Sequence, residues 1–445
     1  MSERPKKPKP PKAPVPAPKP SSSSTAAERN KVANTNEKKK PNKRPKGKKN
    51  TQDGGSKTSW MLKNTGAVIH PLTTVLAIDA EVSSAGGFEL LCTYNWIEKA
   101  KNKRGPAIYV PGGPPKWKPP TLPITLPQDT GMQYADQNAF RTPKYPFEPV
   151  FWALDLMNPD MRFNDVDLVC NRNSLRKLLD IATGRRPDPF VMHLHMVEKT
   201  LFITRKEKNA RMRVFGNTNS GYGHNFEKAC TEADRDVVGS SSHHRVVKYS
   251  MGGLNCVVRF EVDAYYEGNE EGVCARDFDH EDNALAESFD LLTLKEIDSD
   301  STKGTTSNTS TSAVRKGAVL SSSQMAEIKA KNGTGGTVYF KSYLPQLWFG
   351  RTPYLFIGKN TKGTFHNIVK MHAGSKFTEW EKENQEGLRK LVGILRELRE
   401  VVSKVESSAA VLMYEKKKDE PMKILEMKNP TSVLPEDIRG KYWSL

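Results

Sequence analysis

The chain has no Cys-x-x-Cys pair, no adjacent Asp-Asp and no internal repeat. No apolar run approaches the roughly 18 residues that a membrane-crossing helix needs. Each absence closes a route. Five cysteines, Cys92, Cys170, Cys230, Cys256 and Cys274, are odd in number and widely spaced. They indicate neither a disulfide framework nor a zinc site, and they fit a reducing intracellular compartment. The amino terminus carries charge with no apolar stretch behind it, so no secretory signal is expected, and a soluble protein without membrane contact follows. The missing Asp-Asp pair excludes the aspartate-rich helix of an isoprenyl diphosphate synthase. Apolar residues make up only 36% of the 445, little for a chain folded throughout, so a disordered fraction is expected.

What the chain has in excess is positive charge, and it is unevenly placed. Of the net +18, residues 1–50 supply +13, from 16 Lys and Arg against 3 acids. The basicity therefore belongs to a tail, which suits nucleic-acid contact. Ten prolines in the first 45 residues and a four-serine run leave nothing there to bury. Residues 1–58 are expected to be disordered with polyproline character. The cluster Lys38-Lys-Lys-Pro-Asn-Lys-Arg-Pro-Lys-Gly-Lys-Lys49 reads as a nuclear localisation signal, giving a protein of the nucleus, or of nucleus and cytoplasm. Residues 59–445 then form a single domain. It is interrupted by an acidic, then Ser/Thr-rich, disordered insertion at 267–323.

Within that domain the pattern predicts strands over Ala67–His70, Thr74–Ile78 and Phe88–Trp96 as an opening hairpin or meander. A proline-crowded, extended and packed surface segment over 105–128 and a helix over Val150–Met157 come next. Val166–Leu179 reads as a strand passing into a helix with Arg172 at the junction, and Phe190–Leu194 and Thr200–Thr204 as paired strands. Gly221–Ala229 is a loop-to-helix start. Tyr343–Gly350 forms a short turn or helix bearing Gln346, followed by a hairpin of Tyr354–Gly358 and Gly363–Met371. Phe377–Val405 has apolar residues at three- and four-residue steps and predicts one long packing helix. Val411–Tyr414 and Met422–Met427 close the domain as strands.

Two strands carry the chemistry. Along Leu254–Tyr266 the alternation puts Cys256, Val258, Phe260, Val262 and Ala264 on one face and Arg259, Glu261 and Asp263 on the other. Burying the apolar face leaves the acids lining a cleft, where they attract divalent cations. Gln324–Ala330 repeats the device: Ala326, Ile328 and Ala330 point inward, while Glu327 and Lys329 share the other side. An acid and a lysine two apart on a strand, beside an upstream aspartate, suit metal-dependent phosphodiester hydrolysis. The bland alternative for such a pair is a solvated strand face. His193-Leu-His195 and His243-His244 have no third ligand at a sensible spacing and read as structural.

In order along the chain, Arg172 within Asn-Arg-Asn-Ser-Leu-Arg-Lys-Leu-Leu, Gly223-His-Asn-Phe-Glu227, Glu261-Val-Asp263 and Glu327-Ile-Lys329 resemble the four motifs of the DXO family of RNA 5′-end decapping nucleases. Gln346, 17 residues after Lys329, stands where that family has a phosphate-contacting glutamine. The likeness spans roughly 166–371. It departs from the family in the long segment between Asp263 and Glu327, and in Ala330, where threonine is common. The resemblance implies an α+β fold: a mixed β-sheet nuclease core related to the PD-(D/E)XK nucleases, with flanking helices. It implies Mg2+ or Mn2+ as cofactor, held by Glu227, Asp263 and Glu327 directly and by Glu261 through water. Glu261, Asp263, Glu327, Lys329 and Gln346 would form the catalytic set, with Arg172 and Gln346 on the substrate phosphate. The implied activity is hydrolysis at RNA 5′ ends in RNA quality control: removal of incomplete or NAD-type caps, release of pyrophosphate from 5′-triphosphate RNA, and 5′-to-3′ digestion. A nuclear 5′-3′ exoribonuclease is the implied protein partner. A catalytically inactive RNA 5′-end-binding protein and a DNA nuclease of PD-(D/E)XK type remain as alternatives.

Overall fold

The computed structural model describes residues 59–98, 105–216, 220–268, 312–333, 340–418 and 420–444. The basic tail 1–58, its lysine cluster, Cys274 and residues 269–311 of the expected insertion lie outside them. The chain opens with β1 (Thr65–Leu72), β2 (Glu89–Ile97), β3 (Ala107–Gly112), β4 (Lys116–Trp117), β5 (Ile124–Thr125) and β6 (Thr130–Tyr134). It continues through α1 (Gln137–Arg141), α2 (Glu148–Met157), β7 (Leu168–Asn171), α3 (Arg172–Ala182), β8 (Phe190–Val197), β9 (Thr200–Lys206) and β10 (Arg211–Phe215). Next are α4 (Gly223–Ala229), β11 (Thr231–Glu232), β12 (Ser240–Met251), β13 (Leu254–Val262), β14 (Ala264–Tyr265), β15 (Ser312–Gly317) and β16 (Met325–Asn332). The last part comprises α5 (Leu344–Gly350), β17 (Tyr354–Thr361), β18 (Thr364–His372), α6 (Phe377–Glu383), α7 (Gln385–Ser403), β19 (Ala409–Tyr414), β20 (Met422–Met427) and α8 (Glu436–Tyr442).

The strands build an 11-stranded sheet in the order β1-β20-β19-β8-β9-β7-β13-β12-β2-β3-β15, a 7-stranded sheet in the order β11-β4-β14-β16-β17-β18-β5, and a two-stranded ribbon of β10 and β6. The large sheet is mixed: β13 runs parallel to β7 and antiparallel to β12. With helices on its faces, this is the α+β architecture that the motifs implied. On one face Leu175, Leu178 and Leu179 of α3 and Leu388, Leu391, Leu395 and Leu398 of α7 pack on Met192, Leu194, Cys256 and Val258. On the other, Phe151 and Leu154 of α2 and Tyr442 of α8 pack on Val169, Phe202 and Val257. At about 1.5–3 kcal/mol per fully buried large apolar side chain, these two clusters hold the central strands far more firmly than the short ribbon is held. Among the described residues no helix is long and apolar enough to cross a membrane.

Several local expectations are corrected. Thr74–Ile78 is not a strand, and no opening hairpin forms, because β1 pairs antiparallel with β20 at the far edge of the sheet. Residues 73–82 lie along α7 instead. The Ile78 amide donates to the Arg389 carbonyl at 3.3 Å, and the Gln385 side chain bonds both the N–H and the carbonyl of Val82. Gly393 permits this approach, since a Cβ there would stand 1.9 Å from the Leu76 carbonyl oxygen. The predicted helix 377–405 breaks at Asn384, whose side-chain amide donates to the Trp380 carbonyl at 2.8 Å and so competes with the helical pattern. The extended segment 105–128 is packed as expected, but it buries Ile108, Val110 and Trp117 rather than only crossing the surface. Residues 312–323, expected to be disordered, are part of the folded domain. Residues 312–317 form β15, parallel to β3, and the buried Arg245 guanidinium donates to the Leu320 carbonyl at 3.1 Å and the Ser322 hydroxyl at 2.9 Å. A buried guanidinium requires such acceptors, which binds this stretch to the domain.

Candidate active site

The long strand expected over Leu254–Tyr266 is two strands in two sheets. β13 belongs to the 11-stranded sheet and ends at Val262, whereas β14 joins the 7-stranded sheet by pairing antiparallel with β16, Ala264 against Ala326. Asp263 sits at the switch. The two sheets part there, and Asp263 lines a cleft of about 510 Å³ beside this point. β7 runs directly into α3 and presents Arg172 as the first helical residue. α4 brings Glu227, the end of β13 brings Glu261, β16 brings Glu327 and Lys329, and α5 brings Gln346.

All seven residues singled out from the sequence meet at this seam. Glu327, only 1% exposed, is their hub. Its Oε1 lies 2.5 Å from Arg172 Nη1, and its Oε2 accepts from Lys329 Nζ at 2.8 Å and from Gln346 Nε2 at 2.6 Å. Asp263 Oδ2 accepts from the Ile328 amide at 2.8 Å and from Lys329 Nζ at 3.3 Å. Arg172 also donates to the Glu261 backbone carbonyl at 3.2 Å and lies 5.1 Å over the Phe260 ring. Glu227 and Glu261 both line the cleft, near enough for the Glu261 charge to act on Glu227.

The electrostatics divide these acids. Burial pushes the Glu227 carboxyl well above the usual range, with Asp263 and then Glu261 adding to it. Burial, then Asp263 and Glu327, push Glu261 up to about 7, and because Glu261 opens onto the water of the cleft, screening weakens that effect. Asp263 is raised by burial and by Glu327, against the opposing pull of Lys329. Burial would raise Glu327 too, but Arg172 and Lys329 outweigh it and hold this carboxyl low. The same two acids, Asp263 and Glu327, outweigh burial at Lys329 and hold its ammonium protonated.

With Asp263 and Glu327 turned onto these cations, no three His, Cys, Asp or Glu side chains among the described residues are arranged to hold a metal ion. The donor set nevertheless suits one. Four carboxylates facing two cations leave a formal charge of −2, and hard oxygen donors of that excess are what Mg2+ or Mn2+ takes.

Sequence reasoning missed the rest of the cleft. Arg176, one helical turn beyond Arg172, and Arg205, Asn171 and Asn173 line it, as does the segment Met132–Asn138. The i, i+4 spacing of Arg172 and Arg176 was a readable signal; the convergence of β9 and β6 on the same cleft was not. Arg259, expected beside Glu261, is buried and donates from Nε to Asn171 Oδ1 at 2.9 Å and from Nη1 to the Pro146 carbonyl at 2.6 Å. The two histidine pairs are not brought together. His243 and His244 are buried in the cleft wall, His243 Nδ1 lying 2.7 Å from Asn95 Oδ1. His193 and His195 line a separate cavity of about 480 Å³ with Lys63, Lys144 and Lys206.

A family model described as "Domain of unknown function (DUF8563)" matches residues 67–443. No curated protein matches the chain. Among solved structures, Scheffersomyces stipitis Rai1 is similar with 11% identity, covering 84% of this chain and 96% of that one at a TM-score of 0.50. Candida albicans Rai1 in complex with pU5-Mn2+ is 11% identical over 85% of this chain and 98% of that one, at 0.49. S. pombe Rai1 in complex with 3′-FADP is 12% identical over 80% and 98%, at 0.48. At such identities the likeness is one of fold.

Proposed function

The chain belongs to the family described as a domain of unknown function (DUF8563), a description that assigns no activity, and from its cleft we propose a metal-dependent hydrolase acting on RNA 5′ ends. The observation that carries the reading is the hub at Glu327. A buried carboxylate holds a lysine, an arginine and a glutamine amide at 2.5–2.8 Å, with three further acids beside it. A site of pure binding has no use for four mutually repelling carboxylates. The fold shared with Scheffersomyces stipitis Rai1 supports it.

Glu227, Asp263 and Glu327 would hold the metal directly and Glu261 through water. When bound, the metal supplies Lewis-acid polarisation of a phosphate and a water of lowered pKa. Lys329, protonated and two residues from Glu327, orients the attacking water and offsets charge on the phosphate. Arg172 and the Gln346 amide bind phosphate oxygens, a task for which the guanidinium fork is suited. The substrates proposed are RNAs with incomplete or NAD-type caps and with 5′-triphosphate, with 5′-to-3′ digestion following. Nuclear import through the 38–49 cluster is proposed with it.

The test is a panel of capped, NAD-capped, triphosphorylated and monophosphorylated RNAs, with a DNA arm, in Mg2+, Mn2+ or EDTA. Hydrolysis of at least one RNA in metal and none in chelator is expected. Asp263→Asn with Glu327→Gln should lower it by at least about 10²-fold. Full activity in EDTA overturns the reading, and cleavage of the DNA arm alone moves it to a DNA nuclease. One observation favours a second reading, an inactive 5′-end-binding protein: Arg172 and Lys329 already neutralise Glu327 and Asp263. Arg172-dependent binding of 5′-phosphorylated RNA without cleavage by the wild type would select it.

A further inference from the structure

We infer that the ribbon of β6 and β10 is a stacking platform for the single-stranded RNA that runs out of the acid cleft. This rests on the proposed action at RNA 5′ ends and adds where the body of the strand lies. The two strands pair antiparallel with Arg211 opposite Tyr134, Arg213 opposite Met132 and Phe215 opposite Thr130. Directly opposed residues share a face, so Met132, Tyr134, Arg211, Arg213 and Phe215 lie side by side. That face is open: Phe215 is 72% exposed, Met132 45% and Tyr134 39%. Phe140 of α1 extends it, with its ring 5.3 Å from that of Tyr134 and under the Arg211 guanidinium at 4.3 Å. Arg213 in turn stands 5.8 Å from the Phe215 ring.

An isolated two-stranded ribbon is marginal in water, and leaving rings and methionine exposed on it costs solubility, so the patch calls for an occupant. The face carries no carboxylate. Two arginines interleaved with flat rings match a chain of phosphates and bases, since every base has a face to stack and every link a charge to pair. Five residues per strand at ~3.4 Å each span about 17 Å, room for two or three stacked bases.

The ribbon is continuous with the cleft. Met132, Gln133 and Tyr134 also line it. Asp129, just before β6, accepts from the backbone N–H groups of His224 and Asn225 at 3.2 and 2.9 Å and so caps α4, the helix that carries Glu227. Asp136, just after β6, accepts from the Ala139 amide and caps α1. Both ends of the strand are thus fixed to elements of the site.

The experiment measures binding by full-length protein in EDTA, by fluorescence anisotropy, of a labelled ten-nucleotide oligo(U) bearing a 5′-phosphate or a 5′-hydroxyl, and of a 5′-phosphorylated dinucleotide. Tyr134→Ala with Phe215→Ala should weaken both decamers by roughly tenfold or more and leave the dinucleotide unchanged. Tyr134→Phe with Phe215→Tyr should restore decamer binding. Arg211→Gln with Arg213→Gln should flatten the slope of log affinity against log salt by about 1 to 2. Arg172→Ala should weaken only the 5′-phosphorylated ligands. Because no cleavage is read, a wild type that hydrolyses nothing would sink the proposed hydrolase and leave this result standing. Unchanged decamer affinity in the alanine pair overturns the platform. So does equal loss of decamer and dinucleotide, or loss of an oligo-glutamate peptide with oligo(U) binding intact, which would make the face a protein-docking surface.

Discussion

Glu261 and Glu327 are the same residue type in one cleft, yet their surroundings drive them apart. Glu327 is enclosed by Arg172, Lys329 and Gln346 and stays ionised, while Glu261 opens to water beside other acids and holds its proton to higher pH. A third carboxylate outside the site gives a clean pH test. Glu148 sits in the first turn of α2, where the helix dipole favours its charge by about 0.3–1 kcal/mol. Burial, and then Asp437 of α8, outweigh that and raise it to about 7 against an ordinary 4.5. Between those values the unfolded chain ionises this group and the folded one does not, so the folded state loses stability as pH rises from 4.5 to 7 and the penalty is complete above 7. Glu148→Gln should therefore leave the denaturation midpoint near pH 4.5 unchanged and raise stability at pH 8, by on the order of 1 kcal/mol since Glu148 is only partly buried. An equal gain at both pH values, read by urea melts, would contradict this cause.

At the scale of elements, the seam depends on how closely α4 approaches β17. Gly358 lies under Phe226, whose ring stacks on Phe365 at 4.2 Å, and a Cβ at 358 would stand 2.2–2.6 Å from ring atoms of Phe226. Phe226 cannot yield without moving α4, and the next residue is Glu227. Gly358→Ala should cost about 1–3 kcal/mol and lower metal-dependent cleavage more than Gly440→Ala, whose Cβ meets nothing within 4 Å. Equal effects would show that α4 does not set the site. The connection between β14 and β15 is a different case, because loop-closure cost grows only with the logarithm of length. Replacing residues 270–310 by a ten-residue Gly/Ser linker should change stability by about 1 kcal/mol or less. Carrying the cut through 318 removes β15 and its pairing with β3 and should cost clearly more; thermal melts of the two deletions make the comparison.

For the molecule as a whole, +13 of the net +18 lies in residues 1–50, beyond the unit Gly55–Leu445 that holds the cleft. Removing residues 1–58 should flatten the dependence of RNA affinity on salt and leave turnover at saturating RNA nearly unchanged. An unchanged slope, or failure to fold, would count against the tail as an electrostatic arm.

Much of the site was legible because it is written in local periods. Glu327 and Lys329 are two apart on one strand, Glu261 and Asp263 two apart across a strand end, Arg172 stands where an apolar strand turns into an amphipathic helix, and Gln346 lies on the short helix expected over Tyr343–Gly350. Two-residue and three-to-four-residue periods are properties of the chain itself, so the sequence by itself determined which side chains share an edge or a face, and its composition set off the basic tail; the α+β class was implied by the resemblance of the motifs. What it did not contain was which edges meet. β1 pairs with β20 across the length of the domain, the chain changes sheets at Asp263, and β6 and β10 join as a ribbon beside the cleft. Each is a pairing of distant segments with no periodic trace; burial of apolar faces settled the first two, and backbone pairing of strands anchored at Asp129 and Asp136 settled the ribbon. The ordering of 312–323 has the same origin, since Arg245 takes partners tens of residues away, whereas the break at Asn384 is local, its side-chain amide bonding the Trp380 carbonyl. Tertiary structure alone decided that Arg172 would reach Glu327, because burial of α3 on the 11-stranded sheet beside α5 brings that guanidinium to the seam.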